Sequence, residues 1–266
     1  MTQLIVALDE PDFAQALDLI AATEPMVTWY KVGYQAYYGY GLRIIDALHH
    51  RNKSIFLDLK LHDIPHTVEA AVTNLSYLGI SLLTLHAAGG ARMLEAAVSA
   101  RDAAPSPAHE VPALRLLAVT VLTSLGAEDL RATGIDREPS ELAATRADLA
   151  ARAGVDGVVC AVADAPLIRA VVPRDFLLLC AGIRNASAPP DDQRRVATPA
   201  QAVSAGADFI VAGRSLSASG DVAAATRAIV DELARASAAR SVRTAFGTAG
   251  APPRQGGDST HGDPPA

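Results

Sequence analysis

The sequence predicts a single-domain α/β protein, a closed (β/α)8 barrel of the TIM type. Eight short apolar runs rich in β-branched residues recur along the chain, each followed by a segment with helical spacing. No composition break separates these units until near the C-terminus, and 266 residues is close to the roughly 250 that such barrels use. Parallel strands need crossover helices, and closing the sheet removes its exposed edges. An open doubly wound sheet is the alternative, but no Gly-x-Gly-x-x-Gly follows the first strand.

In chain order the expected strands are residues 4–9, 27–33, 54–60, 82–87, 116–122, 157–162, 176–182 and 209–213. Helices are expected at 11–22, 35–50, 68–78, 91–102, 140–153, 165–171, 199–205 and 222–236. Pro11, Pro166 and Pro199 stand near helix starts, where the missing N–H has no helical partner to lose. Residues 103–112 carry three prolines and read as a surface loop. The barrel is therefore assigned to residues 1–236 and a tail to 237–266. Residues 247–266, rich in Gly, Pro, Ser, Thr and Asp, read as disordered.

Composition narrows the function classes. Half of the residues are hydrophobic and a fifth are charged, as in a globular chain. With 23 basic and 29 acidic side chains the net charge is −6, which argues against nucleic acid or an anionic membrane as the main partner. The N-terminus does not resemble a signal peptide, and no apolar stretch is long enough to span a bilayer. A soluble cytoplasmic protein is expected. Cys160 and Cys180 lie in apolar strand runs and read as buried thiols, not as a disulfide or metal pair.

Chemistry in a βα barrel is found where strands end, because the loops there line the open face. Asp9 ends the first strand and Lys31 lies late in the second. The third ends in Asp58-Leu59-Lys60-Leu61-His62-Asp63-Ile64-Pro65. Asp58 and Lys60, two apart, project from one face of a strand. Buried carboxylates and ammonium groups need partners, so charges of both signs on three consecutive strands suggest a preorganised site. At the other side of the mouth, Gly182-Ile183-Arg184 and Gly213-Arg214-Ser215 close strands seven and eight. Barrels often hold phosphate there, and Arg214 offers a fork of donors that matches phosphate oxygens. The polar loop 185–195 suits a lid. Arg194 and Arg195 within it read as solvated charges, and His62 and His86 as structural or loop-orienting.

The run Asp58-Leu-Lys60-Leu-His-Asp63-Ile-Pro resembles the signature of the orotidine 5′-phosphate decarboxylase family. The likeness extends over residues 4–236, through Ala7-Leu8-Asp9, Lys31-Val32-Gly33, Leu85-His86-Ala87-Ala88-Gly89-Gly90, Leu122-Thr123-Ser124, Gly182-Ile183-Arg184, Asp192-Gln193 and Gly213-Arg214-Ser215. The 3-keto-L-gulonate 6-phosphate decarboxylase and hexulose-phosphate synthase branch is similar around Asp58-x-Lys60 and uses Mg²⁺. The chain has Ala181 where the family more often has proline, and His66 where a second Thr is frequent.

The resemblance implies decarboxylation of orotidine 5′-phosphate to UMP with neither a metal nor an organic cofactor. It assigns Lys60 as proton donor to C6, Asp58 as the acid beside the departing carboxylate, and Lys31 and Asp63 as the other members of the charged array. Asp9 and Lys31 would contact the ribose, and Thr123 the pyrimidine. Arg184, Gln193, Gly213 and Arg214 would hold the substrate's phosphate end. The family is a homodimer in which the residues matching Asp63 and Thr67 reach the neighbouring subunit's site. A phosphate-binding barrel without catalytic activity is the remaining alternative, opposed by the intact Asp58, Lys60 and Asp63 set.

Overall fold

A computed structural model describes residues 1–104, 113–184 and 195–247, with side chains of the last helix through Arg240. Its strands are β1 (Gln3–Ala7), β2 (Trp29–Gly33), β3 (Ser54–Leu61), β4 (Leu82–His86), β5 (Arg115–Val119), β6 (Gly157–Ala161), β7 (Leu177–Ala181) and β8 (Phe209–Ala212). Each pairs in parallel with the next, and β8 closes on β1 through Leu4 opposite Ile210 and Val6 opposite Ala212. The protein is a TIM barrel.

The helices are α1 (Phe13–Thr23), α2 (Tyr34–Tyr40), α3 (Arg43–His49), α4 (Pro65–Ser76), α5 (Ala91–Ala103), α6 (Ala127–Ala132), α7 (Pro139–Arg152), α8 (Ala165–Arg169), α9 (Pro199–Ala205), α10 (Arg214–Ser217) and α11 (Val222–Gly247). The helix expected over 35–50 is two, because Gly41 takes φ +61° and stops the first turn run. Helix α6 was not expected; it starts at Gly126, whose N–H the Asp129 carboxylate accepts at 2.8 Å. Helix α11 continues past the expected end at Ala236 to Gly247, and the Arg240 guanidinium donates to the Val203 carbonyl of α9. Residues 248–266 and most of the proline-bearing stretch 103–112 lie outside the described residues. Among the described residues no helix is long and apolar enough to cross a membrane.

Side-chain alternation builds two cores. One face of every strand packs outward against the helices, in a continuous apolar layer that includes Val6, Val32, Leu57, Leu83, Leu116, Val158, Cys180 and Ile210. The other face fills the barrel with Ile5, Trp29, Phe56, Leu82, Leu117, Val159, Leu179 and Phe209, and Leu177 of β7 and Val211 of β8 pack against them. Two residues further along β2, β3 and β4 the inward positions become Lys31, Asp58 and Thr84. That change opens the functional end of the barrel.

Candidate active site

Four of the expected charged residues, Asp9, Lys31, Asp58 and Lys60, form a chain of ion pairs at the C-terminal mouth. Lys31 Nζ lies 3.1 Å from Asp9 Oδ1 and 3.9 Å from Asp58 Oδ2, and Lys60 Nζ lies 2.9 Å from the same Asp58 oxygen. Asp58 is 9% exposed, so its charge is held by these two ammonium groups and by a hydrogen bond from Thr84 Oγ1 to Oδ1 at 2.9 Å. Acids and bases alternate from β1 to β3. Gly33 makes room for them: a Cβ there would stand 2.7 Å from Lys31 Nζ.

Lys60 reaches this position from an unusual backbone. It has φ +44°, in the left-handed region that costs a non-glycine residue about 1 kcal/mol or more. The β3–β4 register shifts between Leu57 and Leu61 as a bulge would require. The Lys60 N–H donates to Thr84 Oγ1 at 2.8 Å. Its ammonium also faces the ring of Tyr34 at 5.6 Å, and the Tyr34 hydroxyl donates to the Leu59 carbonyl at 2.8 Å. Burial raises the Tyr34 phenol above its usual range, with the nearby Tyr38 and Asp58 adding to the shift.

A cavity of about 220 Å³ opens beside the array. Asp9, Lys31, Asp58 and Lys60 line one side; Thr123, Arg184, Gly213 and Arg214 are also in its wall. The structure thus brings together eight of the expected site residues. Asp63 and Thr67 are exposed and do not line this cavity; Asp63 Oδ1 accepts the Ile64 N–H at 2.6 Å. Gln193 and Arg194 lie outside the described residues.

Arg195 corrects an expectation. Read from sequence as a solvated charge, it is a buried anchor: its side chain is 15% exposed, and Nη1 donates to both oxygens of the fully buried Asp164 at 2.7 Å. Nη2 donates to the carbonyls of Val121 and Leu122, and the Arg195 N–H to that of Thr123. The Arg195 carbonyl in turn lies against Gly182, where a Cβ would stand 2.6 Å away and φ is +78°. Arg195 therefore ties the loops after β5, β6 and β7 to one another.

His62 and His86 stack with ring centroids 5.1 Å apart, and His86 Nδ1 accepts the Ala88 N–H at the turn that follows β4. Burial, reinforced by His62, Arg146 and Lys60, lowers His86 to about 4. Cys160 and Cys180 are buried and free, with Sγ atoms 3.9 Å apart on paired strands. The Cys180 contact and burial push the Cys160 thiol up, which disfavours its thiolate.

Sequence reasoning missed Thr84, Tyr34 and Asp164. Thr84 had a readable signal, a hydroxyl at an inward position of an otherwise apolar strand. Asp164 and Tyr34 had none, because their partners are distant in sequence.

Comparison with known proteins agrees with this geometry. The model of the orotidine 5′-phosphate decarboxylase / HUMPS family matches residues 2–229. The orotidine 5′-phosphate decarboxylase of Anaeromyxobacter sp. (strain K) is 46% identical over 231 residues, covering 87% of this chain and 98% of that protein. That of Methylobacterium sp. (strain 4-46) is 45% identical over 234 residues, with coverages of 88% and 96%. The crystal structure of orotidine 5′-phosphate decarboxylase from Lactobacillus acidophilus superposes with a TM-score of 0.75 at 33% identity, covering 88% of this chain and 99% of that one. With likeness running through every strand that carries the ion-pair chain, the protein belongs to the orotidine 5′-phosphate decarboxylase / HUMPS family.

Proposed function

We propose that this protein decarboxylates orotidine 5′-phosphate to UMP and CO₂, the last step of de novo pyrimidine nucleotide synthesis, without a metal or organic cofactor. The observation that carries the reading is the chain Asp9–Lys31–Asp58–Lys60, beside a cavity whose wall also holds Arg184 and Arg214. Two acids against four bases leave the cavity net positive, as suits a substrate bearing a carboxylate and a phosphate.

The bond between C6 and the carboxylate carbon breaks, CO₂ leaves, and the electron pair stays at C6. Lys60 transfers a proton to that carbon and regains one from water. Its ammonium supplies both the charge that stabilises the carbanion and the proton that quenches it. Asp58 adds repulsion against the substrate carboxylate, about 4 kcal/mol for like charges ~4 Å apart at an effective dielectric of 20. That amounts to somewhat under a thousandfold in rate, a contribution and not the whole account. Asp9 and Lys31 contact the ribose, Thr123 the pyrimidine, and Arg184, Gln193, Gly213 and Arg214 the phosphate end.

Asp63 and Thr67 act in the site of a second subunit, making the working form a homodimer in the cytoplasm. Supporting this, both side chains are exposed and outside their own cavity, beside Ile64, which is 66% exposed. Tyr38, 75% exposed, stacks on Tyr34 and extends the apolar surface near Lys60. The deciding experiment is a spectrophotometric assay on orotidine 5′-phosphate in EDTA. Turnover undiminished by the chelator is expected; inactivity restored by Mg²⁺ would instead favour the sugar-phosphate branch of the family.

A further inference from the structure

We propose that Thr84 is a positioning residue for the Asp58–Lys60 pair, one hydroxyl that sets both the backbone of the proton donor and the aim of the carboxylate beside it. The inference rests on the decarboxylase reading and deepens it.

Thr84 stands in the middle of β4, in Leu82-Leu83-Thr84-Leu85-His86, with no exposure to solvent. A hydroxyl in an apolar strand needs partners. Thr84 has two, and their chemistry fixes its orientation. The Lys60 N–H, 2.8 Å away, can only donate, so Oγ1 accepts from it. The ionised Asp58 carboxylate, paired to two ammonium groups, can only accept, so the same hydroxyl gives its proton to Oδ1 at 2.9 Å.

Each bond has a separate consequence. Tying Oδ1 to Thr84 leaves Oδ2 to face Lys60 Nζ at 2.9 Å and Lys31 Nζ at 3.9 Å, on the cavity side. Accepting the Lys60 N–H supports a residue at φ +44°, where the ladder between β3 and β4 slips register. The stem of Lys60 leaves the strand in a direction that ordinary alternation would not give. Thr84 is behind the cavity wall and not part of it, so it acts through the two groups that it holds.

A complementary pair of variants tests this. Thr84→Val keeps the shape and deletes the hydroxyl; Thr84→Ser keeps the hydroxyl and deletes a methyl. Steady-state kinetics on orotidine 5′-phosphate should show kcat of Thr84→Val reduced about 100-fold, as for a reacting group displaced by about 1 Å, with KM changed less than about threefold. Thr84→Ser should retain kcat within about fivefold. A space-filling role predicts the opposite order, with valine tolerated and serine impaired. Circular dichroism and thermal melting establish that both variants are folded. Wild-type kcat in Thr84→Val, or equal losses in both variants, overturns the proposal. Should the valine variant not fold, a serine variant slowed 100-fold overturns it and one near wild type sustains it. Wild-type protein run alongside separates the two readings: an inert wild type sinks the decarboxylase assignment, whereas an active wild type with an undiminished valine variant sinks only the role of Thr84.

Discussion

The barrel interior has two layers one strand-repeat apart, and they do opposite work. The lower layer, with Trp29, Phe56 and Leu82 on β2, β3 and β4, is apolar and packed. Two residues on, the same three strands present Lys31, Asp58 and Thr84, joined by charge and hydrogen bonds. Strands and direction are shared, and the layers differ first in their side chains, with β3 also slipping register against β4 past Leu57. The lower layer gains free energy by leaving water. The upper one holds charges that are stable only because each is matched to a neighbour, and a charge set up in advance is what a reaction that builds a carbanion needs.

Substitutions should therefore separate along this boundary. The largest effect is expected for Lys60→Ala in the upper layer: turnover of orotidine 5′-phosphate falls about 10⁴-fold, with a melting temperature near that of wild type. A comparable loss of thermal stability would break the contrast. Leu82→Ala, directly below Thr84 and fully buried, should do the reverse, lowering stability by about 3 kcal/mol in a urea titration while the kcat of folded protein changes little. Mixing Lys60→Ala with Asp63→Ala chains extends the comparison to the subunit interface. If Asp63 serves the partner, random heterodimers each contain one complete site, and about a quarter of wild-type activity returns; no recovery in verified mixed dimers would confine Asp63 to its own chain.

The smallest effect concerns His86 at the rim of the upper layer. Its folded value of about 4 lies below the ordinary 6.5, so the unfolded chain takes up the proton first. Stability from neutral His86 is complete above pH 6.5 and is lost as pH falls towards 4. A His86→Gln variant should show a shallower decline of melting temperature across that window. An unchanged slope would mean that the ring is not buried neutral.

Much of this was legible in the sequence, for physical reasons that also mark the limits. All eight strands could be read because buried parallel strands are short apolar runs and the intervening helices have a different period. Boundaries moved where single residues intervened, as at Gly41, or where a cap such as Asp129 began a helix that periodicity does not signal. At the site, Asp58 and Lys60 were paired on the argument that residues two apart share a face. They do meet, but with Lys60 in a left-handed conformation across a bulge, which alternation does not describe. Arg195 looked like a solvent-facing charge because its acid, Asp164, is 31 positions away and on another loop. Local pattern shows which residues are charged; only the fold shows which of those charges are answered.

Trp29, the chain's single tryptophan, meets Phe209 edge to face at 5.0 Å, bringing β2 and β8 into contact from either side of β1. The molecule thus carries its one tryptophan fluorophore beside the seam where its first and last staves join. Its emission during refolding should follow the moment the ring shuts, independently of whether the mouth above it holds a nucleotide.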